Sequence, residues 1–408
     1  MVRRLRFTDQ VCQGRGRASV LTLTLAFAMS LVLAWALAGC ATMGESPASL
    51  PPVGTAYARG LSHPLSRTEL RDLLAKTRVL VVGEVHDHPG HHQVQLDLLK
   101  AMADTGGPLV VGIEWLDQSA QPACERLGAG EVGVEEFARL VDWEHAWGFP
   151  LELYAPILEE VRARRLRLVA LNAPLAVVRQ VARSGLASLE PSQRALLAPA
   201  LDLKDQAYRA RLDAQFAMHG FQDPLSRENF FAAQVSRDET MAHNLAGALH
   251  PWPDSDVRAV VLAGGGHLAH GEGLPPRISR RLPGSALVTA LAVPAEAAPD
   301  LTASDPEGWP ADILVVSAPA PPKPPRLGVV LQEVPAGLLI ERVLAGSAAA
   351  RAGWRAGDVL ISLDGAALSR IKQIHDLVRD APWAPHTYRI KRGDTELDSA
   401  ITLGGGER

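Results

Sequence analysis

Between residues 60 and 318 the chain alternates short, mainly apolar runs with segments of helical period, and this pattern leaves few folds open. The runs are Val79-Leu80-Val81-Val82, Leu109-Val110-Val111-Gly112-Ile113, Leu166 to Leu171 and Val257 to Leu262. Ala286 to Val293 and Ile313 to Val316 add two further candidate strands. Between them, Gln93 to Met102 carries Val94, Leu98 and Met102 at helical spacing. Leu153 to Arg165 is amphipathic, and a long helical stretch runs from Arg227 to Leu249. Ser66-Arg67-Thr68-Glu69 reads as a capping box opening a short helix. A strand without polar alternation is covered on both faces, and intervening helices supply the crossovers of parallel pairing. The expected fold class is therefore α/β, a mainly parallel sheet with helices on both faces.

Polar residues gather just after these strands. The first ends in Gly83-Glu84-Val85-His86-Asp87-His88, the second in Glu114-Trp115, and the third in Asn172-Ala173-Pro174. The fourth ends in Gly264-Gly265-Gly266-His267, with His270 three residues on. Open α/β sheets bind ligands outside the carboxyl ends of their strands. One rim is thus expected to hold two carboxylates, two histidines and a carboxamide. Gly-x-x-His occurs twice, at Gly83/His86 and Gly264/His267, where glycine would let the backbone turn tightly. Imidazole is a common metal ligand, and His86 and His267 with Glu84 and Glu114 suit Zn, Mn or Fe with positions left open. His88, His91 and His92 are expected on an exposed loop leading into a helix.

The two ends of the chain read differently. Arg3, Arg4, Arg6, Arg15 and Arg17 precede an uncharged apolar run from Val20 to Ala38, which closes in Leu37-Ala38-Gly39-Cys40. Small residues before a cysteine mark a cleavable lipoprotein signal, so residues 1–39 are expected to leave and Cys40 to carry lipid. Several acyl chains on one residue make a lasting anchor. Ala41 rather than Asp follows the cysteine, which favours the outer membrane of a bacterial envelope. Residues 40–59 read as the lipidated tether, small, polar and Pro/Gly-containing. Cys124 has no expected partner, so stability must come from burial. The chain has 408 residues and a formal charge of −4, and removing the basic leader makes it more acidic, which argues against nucleic-acid binding.

At the strand-end residues the sequence resembles the ChaN-like lipoproteins, part of the haem-binding-uptake and Tiki-like superfamily that includes erythromycin-esterase-like proteins. The resemblance covers residues 60–318. It rests on Gly83-Glu84-Val85-His86-Asp87, Gly112-Ile113-Glu114, and Trp143 and Trp147 ahead of Tyr154-Ala155-Pro156-Ile157-Leu158. Leu171-Asn172-Ala173-Pro174, Arg237-Asp238-Glu239-Thr240-Met241 and Gly264-Gly265-Gly266-His267 complete it. It implies haem or iron acquisition with haem held at a homodimer interface, or, in the Tiki-like branch, a metal-dependent peptidase. Glu84, His86, Glu114 and His267 match the shared polar rim, with Arg237 as a neighbour. The family's haem is ligated through a tyrosine. Of Tyr57, Tyr154, Tyr208 and Tyr388, Tyr57 is placed in the tether, Tyr154 in the core and Tyr388 in the last domain, which leaves Tyr208.

Pro319-Ala320-Pro321-Pro322-Lys323-Pro324-Pro325 forms a stiff spacer, residues 319–325, before a second domain over 326–404. That domain resembles a bacterial PDZ module through Val343-Leu344-Ala345-Gly346-Ser347 and Arg355-Ala356-Gly357-Asp358-Val359-Leu360-Ile361. Asp364-Gly365 is a hairpin signal, and Ile371 to Val378 reads as the helix flanking the groove. The resemblance implies that Leu327-Gly328-Val329-Val330 receives the C-terminal peptide of an envelope protein as an added strand. Three functions follow: a membrane-anchored lipoprotein binding haem or iron for uptake and recruiting a partner through its PDZ module; a hydrolase dependent on Zn, Mn or Co; or an envelope scaffold. In the hydrolase, Glu84, His86, Glu114 and His267 would bind the metal or position its water, and Arg237 would stabilise an anionic intermediate.

Overall fold

A computed structural model describes residues 50–218, 224–251, 257–298, 308–320, 327–378, 381 and 384–402. The leader, Cys40 and the first part of the tether lie outside the described residues, as does most of the proline-rich spacer. The first sheet contains seven strands: β1 (Ala56–Ala58), β2 (Val79–Glu84), β3 (Leu109–Asp117), β4 (Arg167–Asn172), β5 (Arg258–Gly264), β6 (Leu287–Val293) and β7 (Ile313–Val316). Their order is β1-β7-β6-β2-β5-β3-β4. Every pairing is parallel except β1 with β7.

Residues on the central strands face alternate sides. Leu80, Val82, Val111, Ile113, Val260 and Leu262 pack on one face against α1 (Arg67–Lys76), α2 (Pro89–Asp104) and α3 (Leu151–Ala163), through Leu74, Leu99, Met102, Ile157 and Leu158. Val79, Val81, Val110, Ala259 and Val261 pack on the other face, against Met241, Leu245 and Leu249 of α5 (Pro224–Leu249) and Ile278 of α6 (Leu274–Arg281). The helix α4 (Gln206–Met218) precedes α5 in the chain. Each fully buried aliphatic side chain contributes about 1.5–3 kcal/mol, so two covered faces stabilise a sheet of this size without disulfides. The capping box forms as read: Ser66 N donates to Glu69 Oε2 at 2.8 Å, and Glu69 N to Ser66 Oγ at 3.2 Å.

Two expectations are corrected. Tyr57 is buried in β1, which pairs with β7, so ordered structure begins inside the segment assigned to the tether. A three-residue strand carries too little pattern to be read, and its partner lies some 250 residues away. His91 and His92 are buried in the first turn of α2, where they hold the β2–α2 loop rather than lying exposed. Val85 N donates to His91 Nδ1 at 3.1 Å, and His92 Nε2 lies 3.1 Å from the carbonyl of His86.

The second sheet is antiparallel: β8 (Val329–Val334), β9 (Gly337–Val343), β10 (Val359–Leu363), β11 (Ala366–Ala367), β12 (Pro385–Arg392) and β13 (Thr395–Thr402). Asp364 and Gly365 both have positive φ, 47° and 81°, as a two-residue hairpin turn requires. The strand β8 ends the sheet, so its outer edge is left for an added strand, and the helix α7 (Ile371–Val378) packs beside it. Glu333 of β8 accepts a hydrogen bond from Ile371 N at 2.9 Å and fixes the start of that helix. Gly328 turns with φ 77° just before β8, where its carbonyl accepts from Leu344 N.

Candidate functional site

Strand parity divides the rim into two networks. Glu84 follows Leu80 and Val82 on the α2/α3 face, whereas Glu114 follows Val110 and Gly112 on the α5 face. They approach each other at the crest, where Glu84 is in register with Gly264.

On the α2/α3 side, Glu84 is fully buried and its Oε1 lies 2.5 Å from His86 Nδ1. Its second oxygen, Oε2, is buried with no hydrogen-bond partner among the described residues. Burial raises the Glu84 carboxyl, opposed by His86; burial lowers His86, more than offset by Glu84, so both stand above their usual values. The His86 side chain is 30% exposed. Trp147 meets its ring edge-on with centroids 4.8 Å apart, and Phe149 lies tilted at 5.0 Å. The loop is tied from behind by Tyr154, whose hydroxyl donates to the His86 carbonyl at 3.1 Å.

On the α5 side, Glu114 is enclosed. One oxygen accepts from Gly264 N at 2.5 Å, and the other pairs with Arg237 Nη2 and lies 3.2 Å from His267 Nε2. Asn172 donates to the Glu114 carbonyl at 2.8 Å, and its Oδ1 lies 3.3 Å from Arg237 Nε. The other ring nitrogen of His267 is 2.5 Å from Asp238 Oδ1. Burial would lower His267, but Glu114 and Asp238 raise it to about 9, so it is an imidazolium at neutral pH. Burial would raise Glu114, but His267 and Arg237 hold it well below the usual carboxylate range. Behind this layer Tyr208 is buried against Phe231, Asp238 and Arg277. Burial, with Asp238 alongside, pushes its phenol well above the usual value.

The structure brings Glu84, His86, Glu114, Arg237 and His267 to the carboxyl edge of the sheet, and divides them between two hydrogen-bond networks rather than one cluster. A metal ligand needs a free lone pair, and both nitrogens of His267 face carboxylates, while Glu114 is engaged by Gly264 N, Arg237 and His267. Among the described residues no group of three or more His, Cys, Asp or Glu side chains is arranged to hold a metal ion. His270 is exposed and outside both networks. Tyr208 is sealed behind His267 rather than open to a ligand. Asp238 was missed, although it sits in the quoted Arg237–Met241 run: two consecutive acids followed by Thr240 and Met241, all buried on α5, were the available signal. The glycines act by space rather than by turning. Gly264 has φ −61°, and a Cβ there would come within 2.8 Å of His86 Cε1. A Cβ on Gly83 would meet Leu291 at 2.4 Å.

His86 opens into a cleft of about 330 Å³. Trp115, Trp147, Phe149, Ala173 and Val178 supply apolar and aromatic walls, and Arg179, Arg237 and His145 supply polar groups. Arg179 is exposed at the cleft.

Comparison with known proteins gives the family and the fold. The family described as haem-binding uptake, Tiki superfamily, ChaN matches residues 70–278, and a PDZ domain matches residues 339–391. A solved structure titled "Cofacial heme binding to ChaN of Campylobacter jejuni" aligns with a TM-score of 0.51 at 15% identity, over 65% of this chain and 98% of that one. At that identity the likeness is one of fold. Among curated proteins, the chain is 35% identical over 81 residues to the chloroplastic membrane metalloprotease ARASP of Arabidopsis thaliana, covering 19% of this chain and 18% of that protein. It is 32% identical over 91 residues to a probable periplasmic serine endoprotease DegP-like of Hahella chejuensis, covering 19% of each. The chain thus spans less than a fifth of either curated relative.

Proposed function

Because the chain belongs to the haem-binding uptake, Tiki superfamily, ChaN family, we propose that its α/β domain binds haem in the His86 cleft and serves haem or iron uptake. One observation carries the reading: His86, whose Nδ1 is held by Glu84 and whose other ring nitrogen has no hydrogen bond among the described residues, lines a cleft walled by Trp147 and Phe149 and edged by Arg179. These residues fit a porphyrin. Aromatic side chains suit its planar apolar face, arginine suits its carboxylates, and imidazole suits its iron. Bound iron would supply a Lewis-acidic, redox-active centre. This chain's own residues orient the ligand and limit water at His86.

The PDZ domain, with its open β8 edge, would bring the C-terminus of an envelope protein to the same chain. The basic leader and the Leu37-Ala38-Gly39-Cys40 junction support a lipid anchor at Cys40, and Ala41 supports the outer membrane as its site.

The test is titration of haemin into the purified full chain in detergent, followed by absorption. The expected result is a saturable Soret shift at one haem or fewer per chain. Arg179→Glu is expected to weaken binding about tenfold, or ~1.4 kcal/mol. A folded protein with no saturable shift contradicts the reading, and chelator-sensitive hydrolysis restored by Zn, Mn or Co would put the hydrolase in its place.

A further inference from the structure

Resting on the lipid-anchor reading, we infer that the carboxyl edge of the parallel sheet lies against the bilayer, so that the cleft at that edge opens toward a lipid surface.

The direction of β1 carries the inference. It runs against the other six strands of its sheet, so the chain enters this domain at the carboxyl edge. Ala56 pairs with Val315 and Ala58 with Ile313, and Gly54 N donates to the carbonyl of Val316, the last residue of β7, at 2.8 Å. Ala56 and Tyr57 are buried, which fixes the point of entry. A lipid on Cys40 is therefore joined to this edge by the fourteen residues that separate it from Gly54. A flexible chain of that length has a root-mean-square span of about 20 Å. A compact domain the size of residues 60–318 is about 45 Å across. Turning the amino edge to the membrane would stretch the tether along the depth of the domain, near its full extension of about 50 Å.

The edge also presents apolar side chains. Val53 ahead of β1, Val85 after β2 and Leu175 after β4 are 60%, 51% and 42% exposed. In the strand order β1-β7-β6-β2-β5-β3-β4 they stand at the two ends and the centre. Six strand spacings spread that row over about 29 Å, which suits a broad lipid surface. Leu175 lines the cleft as well. Once the lipid holds the chain, the edge needs little affinity of its own, because tethering makes the contact intramolecular. The amino edge is the rival face. Lys76, Arg78, Arg167 and Arg258 stand at or just before its strands and would suit anionic headgroups. Arg167 and Arg258 already donate to the carbonyls of Ala248 and Met102.

The test is fluorescence of the full lipidated chain in vesicles of phosphatidylethanolamine and phosphatidylglycerol that carry a quencher on the headgroup. A thiol probe is placed at Val85→Cys, Leu175→Cys or, on the opposite edge, Lys76→Cys. Cys124 stays unlabelled, since it is buried and its thiol is pushed up to about 12. Quenching is expected to be roughly threefold greater for the two carboxyl-edge probes, because interfacial apolar contacts reach about 5–10 Å into the headgroup boundary. Val53→Glu with Val85→Glu should roughly halve the quenching of the Leu175→Cys probe without changing flotation. Equal quenching at both edges, or more at Lys76→Cys, overturns the orientation while leaving the anchor in place. Quenching unmoved by the paired glutamates overturns the apolar contact. Wild-type protein that does not float with the vesicles, or a Cys40 without acyl chains by mass spectrometry, instead defeats the anchor reading on which the inference stands.

Discussion

His267 lies between two buried carboxylates, and that position sets its charge and its part in stability. Its pKa is raised from 6.5 to about 9, because Glu114 and Asp238 outweigh a burial that would lower it. A histidine whose folded pKa is raised contributes stability that is full below its unfolded pKa and is lost as pH climbs through the folded one. The loss therefore falls between 6.5 and about 9, on the order of 3 kcal/mol. Glu114 runs the opposite way: its depressed pKa adds stability that survives to acid pH and is lost only below the usual carboxylate range. Thermal unfolding followed across this alkaline window should show the wild type losing stability more steeply than His267→Gln. Equal slopes for the two proteins would contradict the imidazolium. His86 has the same Gly-x-x-His spacing and a different fate, because strand parity gives it one carboxylate and an open side.

At the scale of elements, the apolar runs were legible because the middle of a strand packed on both faces is filled by apolar side chains, with polar residues kept mainly to its ends. All six emerged as β2 to β7 within a few residues. The placing of Glu84 and Glu114 on opposite faces was also implicit, in the count of residues from Leu80 and Val110, but their separation into two networks depends on α5. That helix brings Arg237 and Asp238 to one side only, through contacts with Glu114 and His267 that span 29 to 123 residues. No local pattern encodes such pairs. The strand β1 was illegible for the same reason. The placing of His91 and His92 in α2 rests on short-range bonds instead, to Val85 N and the His86 carbonyl, each six residues away, and a run of histidines reads as an exposed loop in composition alone. The leader is an element whose reading rests on composition and one cysteine. Cys40→Ser is expected to release the protein from the membrane fraction and abolish labelling by a radioactive fatty acid. Retention and labelling of that variant would contradict the anchor.

For the molecule as a whole, a haem-binding-family domain and a PDZ domain share one chain, separated in sequence by a proline-rich spacer. Chemistry and recruitment are thereby assigned to different sheets. The parallel sheet gathers buried charge at its carboxyl edge, while the antiparallel sheet leaves the β8 edge unpaired. The family could be read from motifs spread along the first domain, since Gly-Glu-Val-His and Gly-Gly-Gly-His keep their local spacing whatever lies between them. Which histidine faces the cleft could not, because it is settled by tertiary packing. The central claim is that this cleft is where iron sits. Anomalous diffraction at the iron edge, from crystals of the protein grown with haemin, tests it most directly. The account predicts a single iron peak per chain at His86, beside Trp147 and Phe149. Iron located elsewhere on the chain, or at Tyr208, would contradict it.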